Sequence, residues 1–278
     1  MTSDDGFNNV NDGAEEIYDF RATDHMRQVK SVFALQMRLY SKSVSTYIYF
    51  LVALLIPAVV YSGALDQFNE AGELLNTAYL LILLPLMIVL IPSKFSGDIM
   101  SSEFKNRTAF INFPLPMSRT SFFAGKFLAA FFMSFAVMLL ALGGALISGN
   151  VYDPAYPNDV IGMLMVALSG MFALLCMTYF LSIVMGKGAG ALSIAITLVV
   201  PFILLAASGD PEVVRPLTAM PMYSSYHSLL LIDSSFGNGV MAGLFPSSYS
   251  AIEMLAVSVI WGAAFLILGA WAMKLKEV

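Results

Sequence analysis

The sequence predicts an all-α integral membrane protein with six transmembrane helices, on three observations. Hydrophobic residues make up 58% of the 278-residue chain and charged residues only 12%, with a mean hydropathy of +0.78. A soluble domain carries roughly a quarter charged residues. Six apolar runs approach or exceed the roughly 20 residues a helix needs to cross a bilayer. Finally, Lys and Arg concentrate in alternate connections between those runs. The formal net charge of −5 says little about a partner surface, because seven of the acids precede Met26. No nucleic-acid partner is expected of such a chain.

Residues 1–25 mix Asn, Asp, Gly and Glu without apolar periodicity and are expected to form a disordered acidic tail. They lack the basic start and apolar core of a signal peptide. The transmembrane domain is expected over 26–278. It opens with an amphipathic helix over 26–43, in which Val29, Val32, Phe33, Leu35, Met37, Leu39 and Tyr40 fall within an arc of roughly 200°. Arg27, Lys30, Ser31, Arg38 and Lys42 lie opposite, and Gln28 and Gln36 intrude on the apolar side. Such a helix belongs in the headgroup layer, cations toward water and anionic lipid, or against the protein's own inner face.

The six spans are read as Thr46 to Leu65, Leu74 to Ile91, Gly125 to Ser148, Val160 to Met185, Ala189 to Ala207 and Ser250 to Met273. Pro57, Pro85 and Pro201 fall inside three of them. In a membrane, neighbouring helices can satisfy the carbonyl that a proline frees, so Pro57 and Pro201 read as bends. Either bend could line a pathway or serve packing alone. Arg21, Arg27, Lys30, Arg38 and Lys42 precede span one; Lys94, Lys105, Arg107, Arg119 and Lys126 lie between spans two and three; Lys187 follows span four, and Lys274 and Lys276 follow span six. The loops Asp66 to Glu73 and Asn150 to Asp159 hold carboxylates and no Lys or Arg. The positive-inside rule therefore puts both termini in the cytoplasm, and six spans, an even number, return the chain to the same side.

The connection over 94–126 is long for a helical hairpin. Ser101 or Ser102 can cap a short helix there, with Glu103 at its favourable negative end. Phe104, Thr108 and Ile111 share a face, with Phe110 and Phe113 beside it, until Pro114 stops the helix. Ser118 can then cap span three. Exposed aromatics on such a helix suit a protein-binding ridge or a dip into the membrane interface.

The order of an acid, a Thr, an apolar stretch, Pro-x-Ser-Arg and Gly-Lys resembles the permease subunits of type-2 ABC transporters. The matching positions are Glu103, Thr108, Leu115, Pro116, Ser118, Arg119, Gly125 and Lys126; Arg107 stands where that family usually has Gly. The layout of elbow helix, six spans, internal termini and long outer segment is similar as well. The resemblance implies a coupling helix that docks on a separate ATPase subunit through Glu103, Phe104, Arg107, Phe110 and Phe113, with the "MGKGAG" turn as a second contact. It also implies two ATPase copies, a second permease copy forming a dimeric pathway, and an export function. ATP and Mg would be bound by the partner, since no Gly-x-x-x-x-Gly-Lys-Ser/Thr loop occurs here. No cofactor, metal or enzymatic activity is expected of this chain.

Residues 208–249 form a long outer segment, and the patch Ser228 to Ile232 is too short to cross the membrane, as in a re-entrant half-helix. The resemblance gives this segment the form of an outer hairpin before span six. His227 within it has no nearby second ligand type and reads as an ordinary turn histidine. Cys176 reads as a buried, inert thiol. Glu253, near the start of span six, is a candidate pathway residue, alongside Pro57 and Pro201. Three other classes fit less well. An intramembrane enzyme would need a catalytic set such as His with paired Glu or Asp on facing helices, and the spans hold almost no titratable residues. An ion-coupled secondary carrier would show an internal repeat and midplane acids, and a membrane scaffold or immunity protein would need no coupling segment.

Overall fold

The computed structural model describes residues 8–61, 84–97, 99–100, 103, 118–152, 160–185, 188–197 and 251–275, and among these the chain is all-helical. The helices are α1 (Asn8–Lys42), α2 (Val44–Tyr61), α3 (Leu84–Ser96), α4 (Arg119–Tyr152), α5 (Val160–Val184), α6 (189–197) and α7 (Ala251–Leu275). Among the described residues, three stretches are long and apolar enough to cross a membrane: Arg119–Gly144, Leu164–Val184 and Leu255–Leu275. Val44–Leu54 and Leu86–Ser96 are shorter apolar helices. Most of the expected second and fifth spans, and the outer segment 208–249 with His227, lie outside the described residues, as does Pro201.

Helix α1 differs from its sequence expectation. It begins at Asn8, so helix replaces the expected disorder over 8–25. No proline interrupts it, and a helix whose later turns are docked extends without a second nucleation step. Ser43 is the single non-helical residue before α2. That corner is tied by Ser43 N–H to Tyr40 O at 3.1 Å, Thr46 N–H to Ser43 O at 3.0 Å, and the Tyr47 hydroxyl to Ser41 O at 2.6 Å. Helix α2 continues past Pro57, as the bend reading requires. Helix α4 starts at Arg119, directly after Ser118, which caps it as expected, so the helix extends beyond the apolar span that begins at Gly125.

Helix α4 packs against α1, α2, α3 and α5, while α5 also packs against α3 and, most extensively, α7. The core lies between α3, α4 and α5, where Ile88, Phe95, Met138, Leu142, Leu174 and Tyr179 are fully buried. Aromatic rings join α4 to α5: Phe123 and Phe127 meet Tyr179 edge-on at 5.0 and 5.5 Å. Cys176 is buried here as expected.

Candidate functional site at the basic end of the bundle

Helix α4 begins in a polar knot with α1. The Ser118 hydroxyl accepts from Ser121 N–H at 3.0 Å, closing one of the amide groups that a helix start leaves unpaired. The Ser118 backbone N–H donates to Gln28 Oε1 at 3.0 Å. His25 Nδ1 lies 3.1 Å from both the Ser118 and Ser121 hydroxyls. One turn on, Gly125 lets the two helices touch. A Cβ there would sit 2.7 Å from Val32 Cβ and 2.8 Å from Val29 O, closer than real contacts allow. Gln28 and Gln36, the polar intruders on α1's apolar face, thus turn toward protein. Gln36 is buried, and Gln28 holds the start of α4.

The next residue, Lys126, is 4% exposed. Its ammonium donates to Glu103 Oε1 at 2.5 Å and to Ile99 O at 3.2 Å, and lies 4.9 Å from the centre of the Phe122 ring. Two oxygens and a π face therefore meet the three N–H donors of a buried lysine. The ion pair anchors the chain leaving α3 to the first turns of α4.

That same stretch of chain is fastened to α5 and α6. Met100 N–H donates to Ser182 Oγ at 3.1 Å. A Cβ on Gly97 would come within 2.6 Å of Gly190 Cα and 2.4 Å of Ser93 O, so the two backbones meet where no side chain fits. Gly188 supplies the turn between α5 and α6 with a φ of 84°, a left-handed conformation that suits glycine. Thr178 and Ser193 then join α5 to α6 through hydroxyls 2.6 Å apart. On the α1 side, the Tyr40 hydroxyl donates to Phe95 O at 2.5 Å, and its ring meets Phe95 edge-on at 5.2 Å. Burial pushes the Tyr40 phenol well above its ordinary range, against a smaller opposing effect of a Gln36 hydrogen bond. It is neutral throughout the physiological range.

Of the coupling-helix residues expected to contact the ATPase, the structure describes Glu103; Phe104, Arg107, Phe110 and Phe113 lie outside the described residues. The Glu103 side chain is 17% exposed and is committed to Lys126. Arg27, Lys30, Arg38 and Lys42 are all exposed on α1, on the side away from α4. Glu253 is exposed in the first turn of α7. Among the described residues no group of three His, Cys, Asp or Glu side chains is placed to hold a metal. Sequence reasoning missed the roles of His25, Gly97, Ser182 and Gly190. Only the glycines left a signal, as small residues in otherwise bulky apolar surroundings.

Four of the eight positions that carry the resemblance thus have structural tasks at the start of α4: Ser118, Gly125 and Lys126 lie at or within its first turns, and Glu103 pairs with Lys126. Compared with known proteins, the chain matches no family model and no curated protein, so the resemblance rests on these residues and on the layout of the chain.

Proposed function

We propose that the chain is the transmembrane subunit of an ATP-driven ABC exporter, working as a dimer in the cytoplasmic membrane and coupled to separate ATPase subunits. One observation carries this reading. Four residues of the family-like pattern, Glu103, Ser118, Gly125 and Lys126, each have a separate structural task where the segment from Glu103 joins the start of α4. Glu103 and Lys126 form the ion pair, Ser118 caps α4, and Gly125 admits α1. A simple link between two helices needs no buried ion pair, whereas a segment that receives force from outside has to be anchored to the helices it moves.

On this reading the basic end is cytosolic and carries both termini. Glu103 roots the coupling segment while Phe104, Arg107, Phe110 and Phe113 meet the ATPase beyond it. The turn over 185–190 forms the second contact. ATP and Mg belong to the ATPase, and the pathway runs between two copies of this chain with Glu253, Pro57 and Pro201 beside it. Purification in mild detergent tests the reading: a nucleotide-hydrolysing subunit is expected to co-purify, and Phe110→Ala with Phe113→Ala should release it. Absence of any such subunit from the native complex would overturn the proposal.

A further inference from the structure

We propose that the corner between α1 and α2 binds the headgroup of an anionic phospholipid through Arg38 and Lys42. The inference requires that the bundle sit in a bilayer and does not depend on the transport reading. It starts from how α1 divides its circumference. Val32 and Gln36 are buried, with Val29, Phe33 and Tyr40 partly so, on the arc facing α4. Leu35 and Leu39 lie outside that arc and are 61% and 52% exposed. At about 100° per residue, Arg38 and Lys42 fall directly beside Leu35 on its other side, within roughly 60° of it. Both are exposed, and neither has a carboxylate partner among the described residues.

Helix α2, beyond the corner, presents an exposed apolar row of its own. Val44, Tyr47, Ile48, Leu51 and Leu54 of α2 are all more than half exposed and recur at helical spacing on one side. Exposed apolar side chains in such a row need acyl chains against them. Arg38 and Lys42 lie at the end of α1, just before the chain turns at Ser43 into α2, and Tyr47 is held at that corner by its hydrogen bond to Ser41 O. Acyl chains along α2 therefore bring their phosphates to these two cations, at the depth where tyrosine rings sit. Arg27 and Lys30 lack this arrangement. Arg27 has Ser31 and Gln28 for neighbours on the corresponding side, and Lys30 lies roughly 140° around the helix from Leu35.

The test uses the full-length protein in neutral detergent, titrated with micelles containing phosphatidylglycerol or phosphatidylcholine. Retained lipid is read by native mass spectrometry and stability by Tm. The wild type is expected to retain phosphatidylglycerol preferentially and to gain Tm from it. Arg38→Gln with Lys42→Gln should lower that retention about tenfold. Arg27→Gln with Lys30→Gln removes the same charge from the same helix and should leave most of it. Equal losses from both pairs would reveal diffuse attraction to a basic helix and overturn the site, as would equal retention of the two lipids. Glycerol phosphate without acyl chains should not reproduce the Tm gain; if it does, the site takes a free phosphate and the lipid assignment fails.

Discussion

Helices α5 and α7 are equally apolar and equally long in their membrane-crossing stretches, yet 61% of the α5 stretch is buried in the protein and 17% of the α7 stretch. Both stretches are rich in small residues, and the difference lies in how many neighbouring helices those residues face. Helix α5 carries Ala167, Ser169, Ala173, Cys176, Thr178 and Ser182, all buried, at intervals that let α3, α4, α6 and α7 approach. Helix α7 has one narrow seam, where Gly262 lies under Phe172 and Gly269 meets Ile183 and Phe123. Its other sides present Ile252, Ile260, Ile267 and Trp271 outward. In a bilayer, hydropathy marks which segments cross, whereas the spacing of small residues marks which faces touch protein.

Substitutions can break or sharpen this contrast. The largest effect is expected in α5, where Leu174→Ala leaves a cavity in the fully buried core and should cost about 2–4 kcal/mol, read as lost Tm in detergent. A cost below about 0.5 kcal/mol, as at a surface site, would erase the distinction between the two helices. Next is the seam of α7. Gly262→Val places a side chain where Cβ alone would come within 2.5 Å of the Phe172 ring. Overpacking there should cost about 1–3 kcal/mol, and α7 should become more accessible to protease while α5 stays protected.

The contrast extends to charge at the basic end. Glu103→Gln and Lys126→Met should each destabilise, Glu103→Gln by removing the counter-charge of a buried ammonium. The double variant should be less damaged than the sum, with a coupling of about 1–2 kcal/mol in a double-mutant cycle. Strict additivity would show that the pair does not hold the segment. Tyr40→Phe removes the hydroxyl bond to Phe95 O and should cost about 1 kcal/mol. Smallest of all, Ile260→Ala and Trp271→Ala on the outer face of α7 should stay within about 0.5 kcal/mol in lipid. A larger loss at either would indicate that this face is covered by protein.

Much of this organisation is legible in the sequence where one short-range rule decides it. Apolar run length locates α4, α5 and α7, and a Ser before an apolar run locates the α4 cap at Ser118. Helical periodicity sorts the cations of α1 to its outer side. Long-range pairing is not encoded in that way. Glu103 and Lys126 are 23 positions apart, and nothing in that spacing says that their side chains meet. Read locally, Glu103 is a helix-start acid open to a partner, and its burial beside Lys126 emerges only when α3 and α4 are packed. Gln28 and Gln36 looked like flaws in an apolar face because periodicity has no term for a polar neighbour across the interface. The extension of α1 to Asn8 was hidden because composition reports whether a segment can fold alone, not whether it can prolong a helix already docked.

The meeting of Gly97 and Gly190 has a mechanical consequence. Two backbones in bare steric contact resist being pressed together and offer almost nothing against being drawn apart. Displacement of the chain after α3 toward α6 therefore meets backbone directly, while the Met100 to Ser182 hydrogen bond ties the same chain to α5. The glycine contact is expected to be stiffer under compression than under tension. A spacer as small as one methyl group at either glycine would set the two connections permanently in the pressed position.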